Sequence, residues 1–258
     1  MSEERLQDKV CIVTGSTGGI GAAIAELFAE HGAKVVVCGR NETKGRDVVA
    51  QITAATNTAV YIRCDVGDDV QVTSLIDGTV AQFGGLDVLV NNAAAVELAH
   101  GLGRDVESLR PEDWDTQIRI NLRAPYYLSH LAIPLIRQRG GGAIVNVSSV
   151  GGMVAWPTAA AYLASKGALN QLTRSMAVDY AKDNIRVNAL CPGWIRTESE
   201  HNRIEQDPDL VDRQLQRMGI QRMGTPREMA YAALFLACAE SSYVNGTLLV
   251  ADGGWTLR

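Results

Sequence analysis

The 258-residue chain has no block of basic residues, no run of about eighteen apolar residues and no cysteine pair spaced as CxxC. With a net charge of −5 scattered along the sequence, the first absence leaves neither nucleic acid nor an anionic membrane surface as an expected partner. The second excludes a membrane-spanning helix. The polar, acidic start, Met1-Ser2-Glu3-Glu4-Arg5, does not read as a secretory leader. Cys11, Cys38, Cys64, Cys191 and Cys238 are odd in number, and four fall in or beside strand-like runs. They read as small buried hydrophobes in a reducing cytoplasm, with neither a zinc site nor a disulfide framework indicated. No repeat, low-complexity tract or Pro/Ser-rich linker marks a second domain. A hydrophobic share of 47% and a charged share of 21% are ordinary for a globular chain, so one domain over residues 1–258 is expected.

What is present is a regular alternation. Apolar runs at 10–14, 34–38, 60–64, 86–90, 143–147, 186–190 and 248–251 predict strands. Amphipathic segments at 22–31, 43–54, 70–83, 111–139, 159–182 and 226–239 predict helices. Val/Ile/Leu runs without polar alternation belong to strands covered on both faces. The pattern is therefore α/β: a Rossmann-type doubly wound parallel sheet with helices on either side. Residues 194–224 interrupt it with a polar, irregular stretch between a strand end and a helix, expected to act as a lid over the substrate.

Thr14-Gly15-Ser16-Thr17-Gly18-Gly19-Ile20-Gly21 lies between the first strand and the first helix. Glycines there allow a tight turn and let a pyrophosphate approach the N–H groups of the helix start. Tyr162 and Lys166 are four residues apart in an Ala-rich helix and so share one face. An ammonium beside a phenol is expected to draw the tyrosine pKa down toward neutrality, suiting it to proton transfer. Taken alone, that spacing favours a chance match. Its company changes the weight: Ser149 closes a strand thirteen residues earlier, and Asn91-Asn92-Ala93-Ala94, Asp65-Val66 and Pro192-Gly193 follow other strands. Ligands of open α/β sheets bind at the carboxyl ends of strands.

Together these motifs resemble the short-chain dehydrogenase/reductase family in its single-domain form, from residues 14–21 to Asp252-Gly253-Gly254. The resemblance implies a nicotinamide-dependent oxidoreductase moving a hydride between cofactor and a ketone, aldehyde or secondary alcohol. It implies a tetrad of Asn121, Ser149, Tyr162 and Lys166: tyrosine moves the proton, serine polarises the carbonyl, lysine holds the nicotinamide ribose, and asparagine holds a relay water. It also implies cofactor contacts from Gly15, Ser16, Thr17, Gly19, Ile20 and Gly21. Asp65 and Val66 would lie at the adenine, Asn92 and Ala93 at the adenosine ribose. Pro192, Gly193, Ile195 and Thr197 would lie at the nicotinamide. A homotetramer is implied as well. One departure is Ala94, where the family pattern has glycine. Another is the stretch 96–110, which is long and carries His100, a residue more in keeping with a solvated loop than with catalysis. Different chemistry on the same fold (an epimerase or dehydratase) and a non-catalytic nucleotide-binding protein are the alternatives. Enoyl reductases of this type space Tyr and Lys more widely.

Cofactor choice is read at the end of the second strand. An NAD site carries a carboxylate there; this chain has Gly39 and then Arg40. The arginine is expected to pair with a 2′-phosphate, favouring NADP over NAD, with NAD still possible. No metal is implied. Met153, Val154, Trp156 and Trp194, with few charges near the tetrad, suggest an uncharged and fairly apolar substrate, and Gly151-Gly152 room for a bulky one.

Overall fold

Seven strands lie parallel in one sheet, in the order β3-β2-β1-β4-β5-β6-β7. They are β1 (Val10–Val13), β2 (Lys34–Gly39), β3 (Thr58–Arg63), β4 (Val88–Asn91), β5 (Gly142–Val147), β6 (Ile185–Pro192) and β7 (Leu248–Ala251). The computed structural model describes residues 4–55, 57–96, 104–207, 209–216 and 218–257. Successive residues of β1 point to opposite faces, and all four are buried. Cys11 and Val13 enter the core formed with α1 (Gly19–Glu30), α2 (Glu42–Ala54) and α9 (Pro226–Ala237). Val10 and Ile12 enter the other, formed with α3 (Asp69–Phe83), α5 (Ala124–Gln138) and α6 (Ala160–Tyr180). That two-sided burial is what the unbroken apolar runs encode. All five cysteines are free and buried. Among the described residues, no helix is long and apolar enough to cross a membrane.

The chain winds outward from β1 to β3, then returns to place β4 on the other side of β1. The split between β1 and β4 is the point where strand order reverses, and a crevice opens beyond the strand ends there.

Two stretches differ from the sequence-based expectation. The helix expected over 111–139 is α4 (Pro111–Ile118), a π-turn (Arg119–Arg123) and α5. Pro125 has no N–H to give to the carbonyl of Asn121, so regular α-helical bonding cannot continue through this point. Residues 194–224 are not irregular throughout, because they contain α7 (Glu198–Gln206) and α8 (Leu210–Leu215). An isolated parallel bridge pairs Ile195 with Gly224, and Gly224 N donates to Trp194 O at 3.0 Å. The excursion thus leaves and rejoins the body at one stem. Of the long 96–110 stretch, residues 97–103, including His100, lie outside the described residues.

Beneath the carboxyl ends of β4 and β5 runs a buried polar network. Asn91 Nδ2 donates to Asn146 Oδ1 (2.8 Å), and Asn146 Nδ2 donates to Thr173 Oγ1 (2.8 Å) of α6. Thr173 in turn donates to Leu169 O (2.8 Å). These bonds fix the two strand ends against the helix that carries Tyr162. Asn146→Ala would leave the buried Asn91 amide only its longer bond to Ser129 Oγ (3.3 Å) and take from the Thr173 hydroxyl the N–H that it accepts. We expect a loss of about 2–4 kcal/mol, read as a drop of ~5–10 °C in the thermal midpoint. An unchanged midpoint would show that the network contributes nothing to stability.

Candidate functional site

At the β1 end, Thr14 and Asn92 lock the crevice open. Thr14 Oγ1 accepts from the N–H groups of Asn92 (2.9 Å) and Ala93 (3.0 Å). The Asn92 amide donates to the carbonyls of Thr14 (2.8 Å) and Gly15 (3.2 Å). The glycines are required by this closeness. A Cβ on Gly21 would stand 2.4 Å from Gly15 O, and one on Gly15, at φ +64°, 2.8 Å from Ala93 Cα. Gly18 is different, since a Cβ there would meet nothing within 4 Å. Ala94 lies in the same wall without a positive φ, so its methyl group is accommodated.

A cleft of about 750 Å³ runs from this turn across the sheet edge. Gly15, Thr17, Gly19, Ile20, Gly21, Arg40, Asp65, Val66, Asn92, Ala93, Pro192, Gly193, Ile195 and Thr197 all line it, as do Ser149, Tyr162 and Lys166. The residues present fit a dinucleotide: an open cradle at Gly18, and a helix starting at Gly19 with no acidic residue in its first turn.

Two of the expected residues are not in that lining. Ser16 is fully buried. Its hydroxyl donates to Val13 O (2.6 Å) and accepts from Cys38 N (2.9 Å), tying β1 to β2 from behind the turn. Asn121 is also fully buried, in the π-turn. Its Nδ2 donates to Gln117 Oε1 (2.6 Å) and Ser165 Oγ (3.1 Å), and its Oδ1 accepts from Ala95 N (2.9 Å). Gln117 Nε2 donates to Ala95 O (3.1 Å), so the pair holds both ends of that residue's backbone. The side-chain amide of Asn121 is therefore occupied by protein groups and is not available to a relay water.

Tyr162 and Lys166 sit on one face of α6, both buried. Ser149 hydrogen-bonds Tyr162 and accepts from Gly151 N (3.0 Å). Lys166 Nζ donates to Val147 O (2.9 Å) and stands 5.8 Å from the Tyr162 ring centre.

The sequence profile of the family described as enoyl-(acyl carrier protein) reductase matches residues 15–256. An uncharacterized oxidoreductase of Thermotoga maritima is 39% identical over 253 residues, covering 97% of this chain and 98% of its own. A 7α-hydroxysteroid dehydrogenase solved with NADH and 7-oxo glycochenodeoxycholic acid superposes with a TM-score of 0.91 at 34% identity, over 98% of this chain and 96% of that one. A gluconate 5-dehydrogenase from Burkholderia cenocepacia, solved with NADP and tartrate, gives 0.90 at 34% identity, over 99% and 98%. The chain belongs to the short-chain dehydrogenase/reductase family. It is accordingly a NAD(P)-dependent oxidoreductase of the alcohol/carbonyl class.

Within this short-chain dehydrogenase/reductase, electrostatics depart from the expected phenolate. Burial raises the Tyr162 pKa above the ordinary phenol value, and the Ser149 hydrogen bond opposes this; the carboxylate of Glu200 raises it further. Burial likewise pushes Lys166 down to about 8. The low-dielectric site penalises both charged forms, so the phenol keeps its proton at neutral pH.

Other residues lie where sequence reading did not place them. Met153 is exposed, and neither it nor Val154 lines the cleft, whereas Trp156 and Trp194 do. The Gly151-Gly152 pair makes room for protein. Cβ atoms there would stand 2.6 Å from the Trp156 ring and 2.4 Å from Asn170 Nδ2. The 194–224 excursion brings charge to the cleft, with Glu200 and Arg203 lining it together with Trp255. Lys44, in the first turn of α2, also lines it beside Arg40 and pairs with Glu198 at 2.6 Å. Spacing carries no signal for these residues, because they reach the cleft through folding of the 194–224 excursion and the segment after β7.

Lys166 makes a stability prediction. Its folded pKa, about 8 against an ordinary 10.5, means that holding the ammonium buried costs about 3 kcal/mol below pH 8. Between pH 8 and 10.5 the unfolded chain binds more protons, so that cost disappears as pH rises. Lys166→Met loses the bond to Val147 O, worth about 1 kcal/mol, and should still be more stable than wild type by about 1–2 kcal/mol at pH 7. Denaturant titrations should show the difference shrinking above pH 8. A variant less stable at pH 7 would contradict the burial cost.

Proposed function

We propose that the chain is an NADP(H)-preferring carbonyl reductase or alcohol dehydrogenase in which Tyr162 is the general acid/base. The observation that carries this reading is the buried Tyr162, hydrogen-bonded by Ser149, beside Lys166 on the wall of the cleft that the glycine turn also lines. The nicotinamide, when bound, supplies or accepts the hydride. Ser149 orients the substrate oxygen toward Tyr162, whose hydroxyl gives the proton in reduction and takes it in oxidation. A phenol held protonated at neutral pH is set for the reductive direction. Lys166, with one donor on Val147 O, has two more for the nicotinamide ribose hydroxyls. Asn121 holds Ala95 and α6 in place; its share in a proton relay is proposed through its backbone carbonyl, which Pro125 cannot bond. The 14–21 turn would receive the pyrophosphate, Asp65 and Val66 the adenine, and Asn92 and Ala93 the adenosine ribose. Pro192, Gly193, Ile195 and Thr197 would flank the nicotinamide. The lid over 194–224 would cover the substrate. The wide-spaced Tyr/Lys arrangement of enoyl reductases is absent, which favours carbonyl over enoyl chemistry.

Arg40 supports NADP. It is exposed at the cleft edge beside Gly39, where a Cβ would meet Thr17 Cγ2 at 2.7 Å. No carboxylate therefore opposes a 2′-phosphate at that position, though NAD remains a possible cofactor. A homotetramer is supported by apolar side chains left exposed on α4 to α6, among them Trp114, Tyr126 and Val178. A cytoplasmic setting is supported by five unpaired, buried cysteines.

Tyr162→Phe should lower turnover of a ketone panel about 10²–10⁴-fold, followed by NADPH absorbance, with cofactor affinity near normal. Full activity in that variant would refute the assignment. Separately, Arg40→Asp should reduce the NADP/NAD ratio of kcat/KM by about ten- to hundredfold. A ratio that does not move would sink the cofactor assignment.

A further inference from the structure

Ala95 stands on the wall of the cleft, beyond the last rung that joins β4 to β5, Asn91 to Asn146. Past that rung the ladder stops, and both backbone groups of Ala95 go to side chains instead. Three amides close into a ring there. Gln117 Nε2 donates to Ala95 O at 3.1 Å, Ala95 N donates to Asn121 Oδ1 at 2.9 Å, and Asn121 Nδ2 donates to Gln117 Oε1 at 2.6 Å. Each amide gives one bond to the ring and takes one. The other N–H of Asn121 leaves the ring for Ser165 Oγ (3.1 Å), whose own proton goes to the carbonyl of Tyr162 (2.7 Å). Gln117, Asn121 and Ser165 are all buried, Gln117 at 2% exposure.

Burying a side-chain amide is costly unless its bonds are met, and an apolar side chain would fill the same space without that demand. The Gln117 amide meets its bonds on two groups alone, the carbonyl of a cleft-wall residue and the amide of Asn121. Its place follows from helix geometry. Gln117 and Asn121 are four residues apart where α4 passes into the π-turn, so one face carries both. Their neighbours Thr116 and Ile120 line the cleft with Ala95, which sets the ring directly behind the wall. Without Gln117 the Ala95 peptide is held at its N–H alone and can pivot on that bond. Asn121 loses the shortest of its three bonds, and with it part of the tie through Ser165 to the Tyr162 turn.

We propose that Gln117 is a positioning residue for the reaction, holding the Ala95 wall of the cofactor cleft and the turn that carries Tyr162 at one fixed spacing. The inference rests on the reading of Tyr162 as acid/base. In reduction the carbonyl carbon takes a hydride from the cofactor side of the cleft, and its oxygen takes the Tyr162 proton. Both transfers need donor and acceptor in contact at once, and a misplacement of about 1 Å is enough to slow such a step about a hundredfold. Gln117 exchanges neither hydride nor proton. It acts through Ala95 on one side and through Asn121 and Ser165 on the other.

The test uses the full chain with NADPH and the ketone of the panel that wild type reduces fastest. Gln117→Met keeps the length of the side chain and loses both ring bonds. Gln117→Glu keeps an acceptor for Asn121, and Ser165→Ala cuts the tie on the Tyr162 side; these two carry the test if the methionine variant does not fold. Three quantities are read: kcat per NADPH-binding site, Kd for NADPH from protein fluorescence, and the isotope effect with NADPH deuterated at the transferred hydrogen. Gln117→Met should lower kcat about ten- to hundredfold, with an isotope effect no smaller than that of wild type. Kd should stay within about threefold, because the glycine turn and its interlock are untouched. Combining Gln117→Met with Ser165→Ala should cost less than the product of the two separate losses, since both act through the Asn121 amide. A kcat per site equal to that of wild type, whatever the thermal midpoint, would reduce Gln117 to a stabilising role and overturn the proposal. So would a loss confined to Kd, or a slower kcat with a smaller isotope effect, which places the damage outside hydride transfer. If Tyr162→Phe equals wild type, the acid/base reading falls and this inference falls with it. Turnover that depends on Tyr162 but ignores Gln117 and Ser165 overturns this inference alone.

Discussion

The interlock of Thr14 with Asn92 governs the geometry of everything beyond it. One hydroxyl accepts two backbone N–H groups from the end of β4, and one amide returns two bonds to the end of β1. Strands that separate at a switch point have no ladder between their continuations, so side chains must set the spacing. The bonds draw the two loops so close that glycine is obligatory at 15 and 21. The same closeness leaves the start of α1 facing an open cradle at Gly18. A site for an anion thus follows from the way two backbones are held together, and no basic side chain in the turn is needed.

From that fixed edge, the chemistry depends on exclusion of water. Tyr162 and Lys166 are placed by α6, whose position is set by Asn146 through Thr173 and by Asn121 through Ser165. Burying an ammonium and a phenol side by side penalises both charges, and so the Tyr162 pKa rises while that of Lys166 falls. The arrangement is not at its stability optimum, because the single carbonyl of Val147 is a poor substitute for the hydration shell of Lys166. Strain of this electrostatic kind is expected where binding a polar ligand has to satisfy the same groups.

Much of this was legible in the sequence because it is carried by local rules. Strands buried on both faces read as apolar runs, glycines marked the turn, and a four-residue spacing put Tyr162 and Lys166 on one helix face. Ser16 lies outside the cleft lining for a geometric reason. In a tight turn adjacent side chains point to opposite sides, so Thr17 faces the cleft while Ser16 faces the sheet. Asn121 was found, but its surroundings were not: Pro125, four residues on, carried the signal that the helix had to be interrupted there. The four-residue spacing shows the phenol only one neighbour, whereas desolvation by the whole pocket is the larger effect on its pKa.

The substrate end was the least legible, and the reason is topological. Glu200 and Arg203 lie on a short helix with no apolar stripe, in a stretch whose polarity reads as solvent exposure. They become cleft residues only because the bridge at Ile195 and Gly224 closes the excursion on itself. The excursion's return leg is then tied to the chain's end, where Ile220 N donates to Gly253 O at 2.7 Å. That bond joins two segments far apart in sequence into one wall, bringing Trp255 and Arg203 into the same cleft as Tyr162. Tyr162 and Lys166 stand on α6 against the sheet, whereas Glu200, Arg203 and Trp255 reach the cleft on segments pinned to each other. Changes in the 194–224 excursion can therefore reshape one wall of the cleft without disturbing the packing of α6 against the sheet.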